Sequence, residues 1–314
     1  MRGLSNLIDL EEEKTRFAIQ QARCQHEKST FPHTLLYGVG GTGKTELARA
    51  MAEELKYHFI EVEAASLRNR ETINDMLRAS GAEAQNKGAI LCLFVDEVHR
   101  LTIRQQEAFY YPMKEWRIIE MKDHNRVKID LSPFTLFAAT TRLDMLDEAS
   151  LVNRFPNRWK INRYSEDSIS QIISSIFDRS NLSYFPEIIH EIATRCHGIP
   201  RSANNFAQKV IDQVIYRGGW VVSEEDVVNA FLLDGIDSCG LDKDSIKYLE
   251  ILNESSEAKG LDYMSGRLGL QAQVVEGNIE PNLMFLGFID RGRGGRIITH
   301  KGIKHLTSTE GMVS

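Results

Sequence analysis

Thr34-Leu-Leu-Tyr37-Gly38-Val-Gly40-Gly41-Thr42-Gly43-Lys44-Thr45-Glu-Leu-Ala-Arg-Ala-Met-Ala-Glu-Glu-Leu55 is the stretch that decides the fold. A short apolar run ends at Tyr37, a glycine-rich loop follows, and an amphipathic helix begins near Thr45. Strand, loop and helix in that order are the context that the Gly-x4-Gly-Lys-[Ser/Thr] pattern requires. The residues Gly38, Gly40, Gly41, Thr42 and Gly43 let successive backbone N–H groups turn inward around phosphate oxygens. The helix N-terminus adds its partial positive charge. Lys44 is placed to reach the β- and γ-phosphates, and the Thr45 hydroxyl to ligate Mg²⁺.

Outward from the loop, Ala89-Ile-Leu-Cys-Leu-Phe-Val95-Asp96-Glu97-Val98-His99-Arg100 is an apolar run closed by two carboxylates. So continuous a run reads as a strand buried on both faces of a parallel sheet. Ligand chemistry in a doubly wound sheet sits at the C-terminal ends of its strands. Asp96 is therefore expected to hold Mg²⁺ through water, and Glu97 to polarise an attacking water. Phe134-Thr-Leu-Phe-Ala-Ala-Thr140-Thr141 is a further buried strand that ends in hydroxyls, placing a polar group between the acidic strand and a γ-phosphate. The two motifs together imply binding and hydrolysis of a nucleoside triphosphate, with ATP as the expected one.

The remaining segments complete an α/β P-loop core of parallel strands flanked by helices. Leu4, Leu7, Ile8 and Leu10 precede the first strand and are expected to pack beside the nucleotide base, ahead of a charged helix over 11–23. Residues 57–63 alternate as a strand, 66–79 read as a helix ended by Ser80-Gly81, and 105–116 as another helix. Residues 117–130 form two β-prone arms about a turn at Asp123-His124-Asn125. They read either as a plain surface hairpin or as a docking arm for a partner or DNA. Arg154 and Arg158 follow a short helix, Arg158 reading as a general surface or phosphate-facing charge.

From Glu166 the apolar period becomes helical through Ile169, Ile173, Ile176 and Phe177, and Ser223 with Asp226 forms a capping box. Residues 163–236 are expected to form an all-helical domain. Within it, Arg201 stands at a helix start, where the dipole does not favour a cation, and so suggests phosphate binding. A linker at 237–242 leads to a third domain, with helices over 245–252, 261–268 and 271–285. The hairpin Gly287-Phe-Ile-Asp-Arg291-Gly-Arg293-Gly-Gly-Arg296-Ile-Ile-Thr299 follows. Three helices and a β-wing make a winged helix, in which Arg291, Arg293 and Arg296 among glycines can follow a phosphate backbone. The expected domains are 1–162, 163–236 and 237–314.

The chain of 314 residues carries a formal net charge of −6, which excludes a polycation and leaves nucleic-acid binding to a local basic patch. Cys24, Cys92, Cys196 and Cys239 lack metal spacing and read as free thiols of a reducing, cytoplasmic compartment. No stretch reads as a signal or a membrane span.

The P-loop core, helical lid and polar strand end resemble the AAA+ ATPases. Val95-Asp-Glu-Val-His-Arg-Leu101, Lys128-Ile-Asp-Leu-Ser-Pro-Phe-Thr-Leu136 and Ala139-Thr-Thr-Arg142 narrow the match. Gly198-Ile-Pro-Arg-Ser-Ala-Asn204 and Ile279-Glu-Pro-x-Leu283 with Gly287-Phe-Ile-x-Arg291 narrow it further. All of these resemble, in one collinear order from 4 to 299, the RuvB family of Holliday-junction branch-migration motors. The resemblance implies that Thr141 senses the γ-phosphate, and that Arg154 is an arginine finger inserted into a neighbouring subunit's ATP site. It further implies that Tyr164 lies near the adenine, that Arg201 is the lid's sensor, and that the wing touches DNA. It implies a homo-oligomeric, usually hexameric ring, duplex and four-way-junction DNA as partners, and a RuvA-type protein docked on the 117–130 hairpin.

This chain departs from the family in the Gly-Val-Gly-Gly-Thr-Gly loop and in Val152, Asn153 and Pro156 around Arg154. Its hairpin is also shorter, with a polar tip. A second reading shares the core and the wing: an ATP-switched loader or initiator that hydrolyses slowly and translocates nothing. A two-lobed helicase built on Asp96-Glu-Val-His99 would need a second lobe, which residues 163–314 do not offer.

Overall fold

The computed structural model describes residues 3–122, 125–149 and 151–309. The chain divides into two compact units, Met1–Asn162 and Arg163–Ser314. The first holds a five-stranded sheet of β1 (Thr34–Tyr37), β2 (His58–Glu63), β3 (Leu91–Asp96), β6 (Phe134–Thr140) and β7 (Asn157–Lys160). Its order is β2-β3-β6-β1-β7 and every pairing is parallel. β3 and β6 are buried almost throughout, and apart from Asp96 and the hydroxyls of Thr135 and Thr140 their side chains are apolar, as strands covered on both faces require. The core runs from Leu35, Leu93 and Val95 through Phe109, Phe134, Leu136 and Phe155.

β4 (Arg117–Lys122) and β5 (Asn125–Asp130) form the expected antiparallel hairpin, tied across its base by Arg117 Nε donating to Asp130 at 2.6 Å. The turn residues Asp123 and His124 lie outside the described residues.

Three readings of local structure need correction. The helix expected to stop at Ser80-Gly81 runs through both, Arg70–Asn86. Buried Leu77, Ser80 and Ala84 keep its apolar face turned to the core beyond the glycine, and tertiary packing outweighs glycine's weak helix preference. The helix expected over 105–116 is two pieces, Ile103–Ala108 and Tyr110–Glu115, meeting at Phe109. The long helix expected over 271–285 is interrupted by a wide π-type turn at Val275–Ile279, immediately before Pro281. Proline lacks the N–H that would continue the ladder, and the helix widens to accommodate it.

The second unit contains two apolar cores. One is made by the helices Glu166–Arg179, Pro186–Arg195, Pro200–Tyr216 and Glu224–Asp234, with Ile173, Phe177, Ile192 and Val210 at its centre. The other gathers Tyr248, Leu249, Met264, Val275, Leu283 and Ile289 beneath the two-stranded wing of β8 (Ile289–Gly292) and β9 (Gly295–Ile298). The segment 237–242 is bonded into the fold and is not a loose linker. Asp237 pairs with His305 at 2.7 Å and its carbonyl accepts from Arg195. A Cβ at Gly240 would come within 2.3 Å of the Arg195 carbonyl oxygen. The four cysteines are free thiols, and among the described residues no helix is long and apolar enough to cross a membrane.

Candidate nucleotide site and wing

The P-loop joins β1 to the helix Lys44–Glu54. β1 lies between β6 and β7, so the loop emerges at the sheet's C-terminal edge, one strand in from the β7 side. Gly38 adopts φ +148°, and a Cβ there would lie 2.2 Å from the Ile161 carbonyl oxygen, so only glycine fits. Gly43 caps the helix at φ +85°, aiming the first N–H groups into the loop. The Thr42 hydroxyl closes the turn by donating to the Val39 carbonyl at 2.9 Å. Lys44 is 7% exposed, and its ammonium donates to the carbonyls of Gly38 at 3.0 Å and Val39 at 2.9 Å. A buried cation held over a ring of N–H donors is a cradle for a polyanion, and the residues fit a triphosphate.

Asp96 ends β3, two strands from β1, and its Oδ1 accepts from the Glu97 N–H at 2.9 Å. Burial raises the Asp96 carboxyl above its ordinary value, and the charge of Glu97 adds to this, while Lys44 opposes it. Glu97 takes φ +49°, which turns its side chain off the strand line. Its Oε2 accepts from the Thr141 N–H at 3.3 Å and hydroxyl at 3.2 Å, and lies 3.0 Å from His99 Nδ1. Burial alone would push the Glu97 carboxyl up, but His99, Thr141 and Lys44 together hold it below its ordinary value. Glu97 is therefore held as an ionised carboxylate beside the loop. Thr141 Cγ2 lies 3.8 Å from where a Gly40 Cβ would stand, so Thr141 abuts the cradle.

Thr45 is half-buried in the first turn of the helix. Among the described residues no cluster of three His, Cys, Asp or Glu could cage a metal. Thr45 and Asp96 fit Mg²⁺, which binds through one or two protein oxygens, substrate phosphates and water.

The structure thus brings together Gly38, Gly40, Gly41, Thr42, Gly43, Lys44, Thr45, Asp96, Glu97 and Thr141. Ile8 is half-buried after the short 3-10 turn Leu4–Asn6. Arg154 ends the turn Val152–Arg154 with its guanidinium carbon 3.9 Å from the Tyr110 ring centroid. Arg158, on the edge strand β7, is exposed and donates to Asn153. In the second unit, Tyr164 packs on the lid core and its N–H donates to the Gly198 carbonyl at 2.8 Å, while Arg201 is exposed in the first turn of Pro200–Tyr216.

The wing requires a correction. Arg296 is not available to DNA: it is 6% exposed and grips Glu280 with two bonds of 2.8 and 3.1 Å. Tyr248 donates to the same carboxylate at 3.1 Å. Arg291 stands opposite Arg296 in the hairpin and pairs with Glu276 at 2.8 Å. Two of the three wing arginines thus answer the acidic residues of the preceding helix, and Arg293, at the tip, is exposed.

His99 and Tyr110 were missed from the sequence. The two-residue spacing of Glu97 and His99 was a usable signal; nothing in the sequence pairs Tyr110 with Arg154.

A parallel sheet of this order, a P-loop after β1 and acidic and threonine strand ends on β3 and β6 beside it define a P-loop ATPase of the AAA+ class. Residues 2–161 match the family described as the Holliday junction DNA helicase RuvB P-loop domain, and residues 238–307 match the RuvB C-terminal winged helix domain. The chain is 32% identical to the Holliday junction branch migration complex subunit RuvB of Ehrlichia ruminantium (strain Gardel), with 89% of this chain and 83% of that protein covered. It is 31% identical to the protein of the same name from Orientia tsutsugamushi (strain Boryong), with 96% and 93% covered. The Thermotoga maritima RuvB Holliday junction branch migration motor superposes with a TM-score of 0.86 at 26% identity, covering 98% of this chain and 97% of that one. The chain belongs to the RuvB family.

Proposed function

We propose that the chain is an ATP-driven DNA motor that moves Holliday junctions by translocating duplex DNA, in homologous recombination and repair. The observation that carries the ATPase half is the ionised Glu97, held by Thr141 and His99 next to the phosphate cradle. In this reading Lys44 and the loop N–H groups bind and orient the triphosphate. Glu97 takes a proton from the attacking water, and Thr141 reports the terminal phosphate by exchanging its bond to Glu97 for one to substrate. Mg²⁺, held by Thr45 and through water by Asp96, would neutralise charge on the β- and γ-phosphates. Tyr164, Arg201 and Ile8 serve the nucleotide's adenine and phosphate ends.

Arg154 acts on the site of the next subunit, so turnover requires a homo-oligomeric ring, with a hexamer expected. Residues 163–236 act as the lid and 237–314 as the DNA-binding domain, with Arg293 as the wing's phosphate contact. The 117–130 hairpin docks a RuvA-type junction-binding protein in the cytoplasm.

The test is ATP-dependent branch migration of a synthetic four-way junction, with and without a RuvA-type protein. Migration in either condition supports the motor. DNA-stimulated ATP hydrolysis with no migration in both would favour the loader reading instead.

A further inference from the structure

The Tyr110–Arg154 contact, 3.9 Å from guanidinium carbon to ring centroid, is the closest cation–ring approach among the described residues. Tyr110 opens the helix Tyr110–Glu115 and is braced edge-on by Tyr111, ring centroids 5.1 Å apart at 75°. The Nε of Arg154 is buried and has no hydrogen-bond partner. A buried donor without an acceptor is normally avoided, so its presence here calls for an explanation.

The geometry resolves how one side chain can be both held and available. A guanidinium stacks on an aromatic ring through its face, whereas its N–H donors lie in its own plane and point outward from its edge. Stacking on Tyr110 fixes the plane of Arg154 without spending a donor.

We propose that Tyr110 is the positioning residue for Arg154: it seats the guanidinium in a fixed plane, with its donors unspent, for an anionic group presented by a second copy of this chain. The proposal rests on the reading that Arg154 completes a neighbour's ATP site. The seat remains occupied during turnover, because face contact and in-plane bonds do not compete. Tyr110 meets Arg154 through the face of its ring, and the role is assigned to the ring and not to the hydroxyl.

The experiment compares steady-state ATP hydrolysis of the full chain with that of Tyr110→Phe, Tyr110→Leu, Arg154→Ala and the double variant Tyr110→Leu/Arg154→Ala. Oligomer size is measured for each by sedimentation. Tyr110→Leu should lower kcat about tenfold at unchanged KM and unchanged oligomer size. Tyr110→Phe should stay within about twofold of the parent, since a phenyl face also attracts the cation. The double variant should be no slower than Arg154→Ala, because a residue that acts only through Arg154 has nothing left to position.

Unchanged or raised kcat in Tyr110→Leu overturns the proposal, as does equal loss in Tyr110→Phe or further loss in the double variant. Full turnover by Arg154→Ala would instead remove the reading of Arg154 on which the proposal stands.

Discussion

Replacing Arg296 with alanine separates a structural arginine from a DNA-binding one. The side chain is 6% exposed, and its partner Glu280 is 1% exposed. Removing the guanidinium leaves the Glu280 carboxylate buried, with the Tyr248 hydroxyl and the 4.0 Å contact to Arg291 as its remaining partners. Deleting one member of a buried pair costs about 3–5 kcal/mol, most of it the desolvation of the charge left behind. At about 2–4 °C per kcal/mol for a unit of this size, the melting temperature should fall by about 10 °C.

Two further variants check the attribution. Arg296→Met with Glu280→Leu removes both charges and should recover most of the loss, because a well-packed apolar replacement of such a pair is close to neutral. Arg293→Ala should leave the melting temperature unchanged and reduce the salt dependence of DNA binding by about one phosphate contact, a slope change of about 0.9. The assays are thermal melts followed by circular dichroism and a titration of fluorescent duplex DNA at several salt concentrations. If Arg296→Ala melts with the parent and lowers the salt slope, Arg296 faces DNA and the buried-pair reasoning is refuted.

Gly38→Ala should abolish ATP binding, read by a fluorescent nucleotide, because its Cβ would stand 2.2 Å from the Ile161 oxygen at φ +148°. Gly81→Ala, with nothing within 4 Å of the added Cβ, should instead stabilise the helix Arg70–Asn86 by about 0.5–1 kcal/mol, seen as a higher melting temperature. Glu97→Gln should keep nucleotide affinity and cut turnover by about a hundredfold or more, since general-base catalysis contributes about 10²–10⁴; turnover at the parental rate would unseat Glu97 as the base. Asp226 is held at about 2 by Arg217's hydrogen bonds and by the Ser223 cap. Its stabilising contribution is complete above the ordinary carboxylate value and is lost as pH falls from about 4 toward 2. An acid titration by circular dichroism should show Asp226→Asn less sensitive than the parent in that window.

How much the sequence disclosed depends on the range over which each feature is determined. The P-loop, the acidic strand and the Ser223–Asp226 cap are set by neighbours within a few residues, and all three stand where their spacing puts them. The order of strands around β1 and the packing of 237–242 depend on contacts distant in sequence, and no local pattern announces them. Arg296 is an intermediate case. Three arginines among glycines suggest a phosphate backbone, yet Glu276 and Glu280 stand one helical turn apart just upstream. Cross-strand pairing puts Arg291 and Arg296 side by side to meet them. The acidic pair was legible, but its partner became so only with the hairpin register. The helix through Gly81 errs the other way: a local stop signal is overridden by a buried stripe on the far side.

Arg163, the first residue of the second unit, donates to the His197 carbonyl in the lid. It also donates to the Pro281 carbonyl and the Asn282 side chain of the winged helix, and stacks 4.2 Å from the Phe285 ring centroid. With Asp237–His305 as a second rivet, the two cores are fastened at both ends. One side chain thus serves both cores of the second unit at once, so that a change at Arg163 reaches lid and wing together.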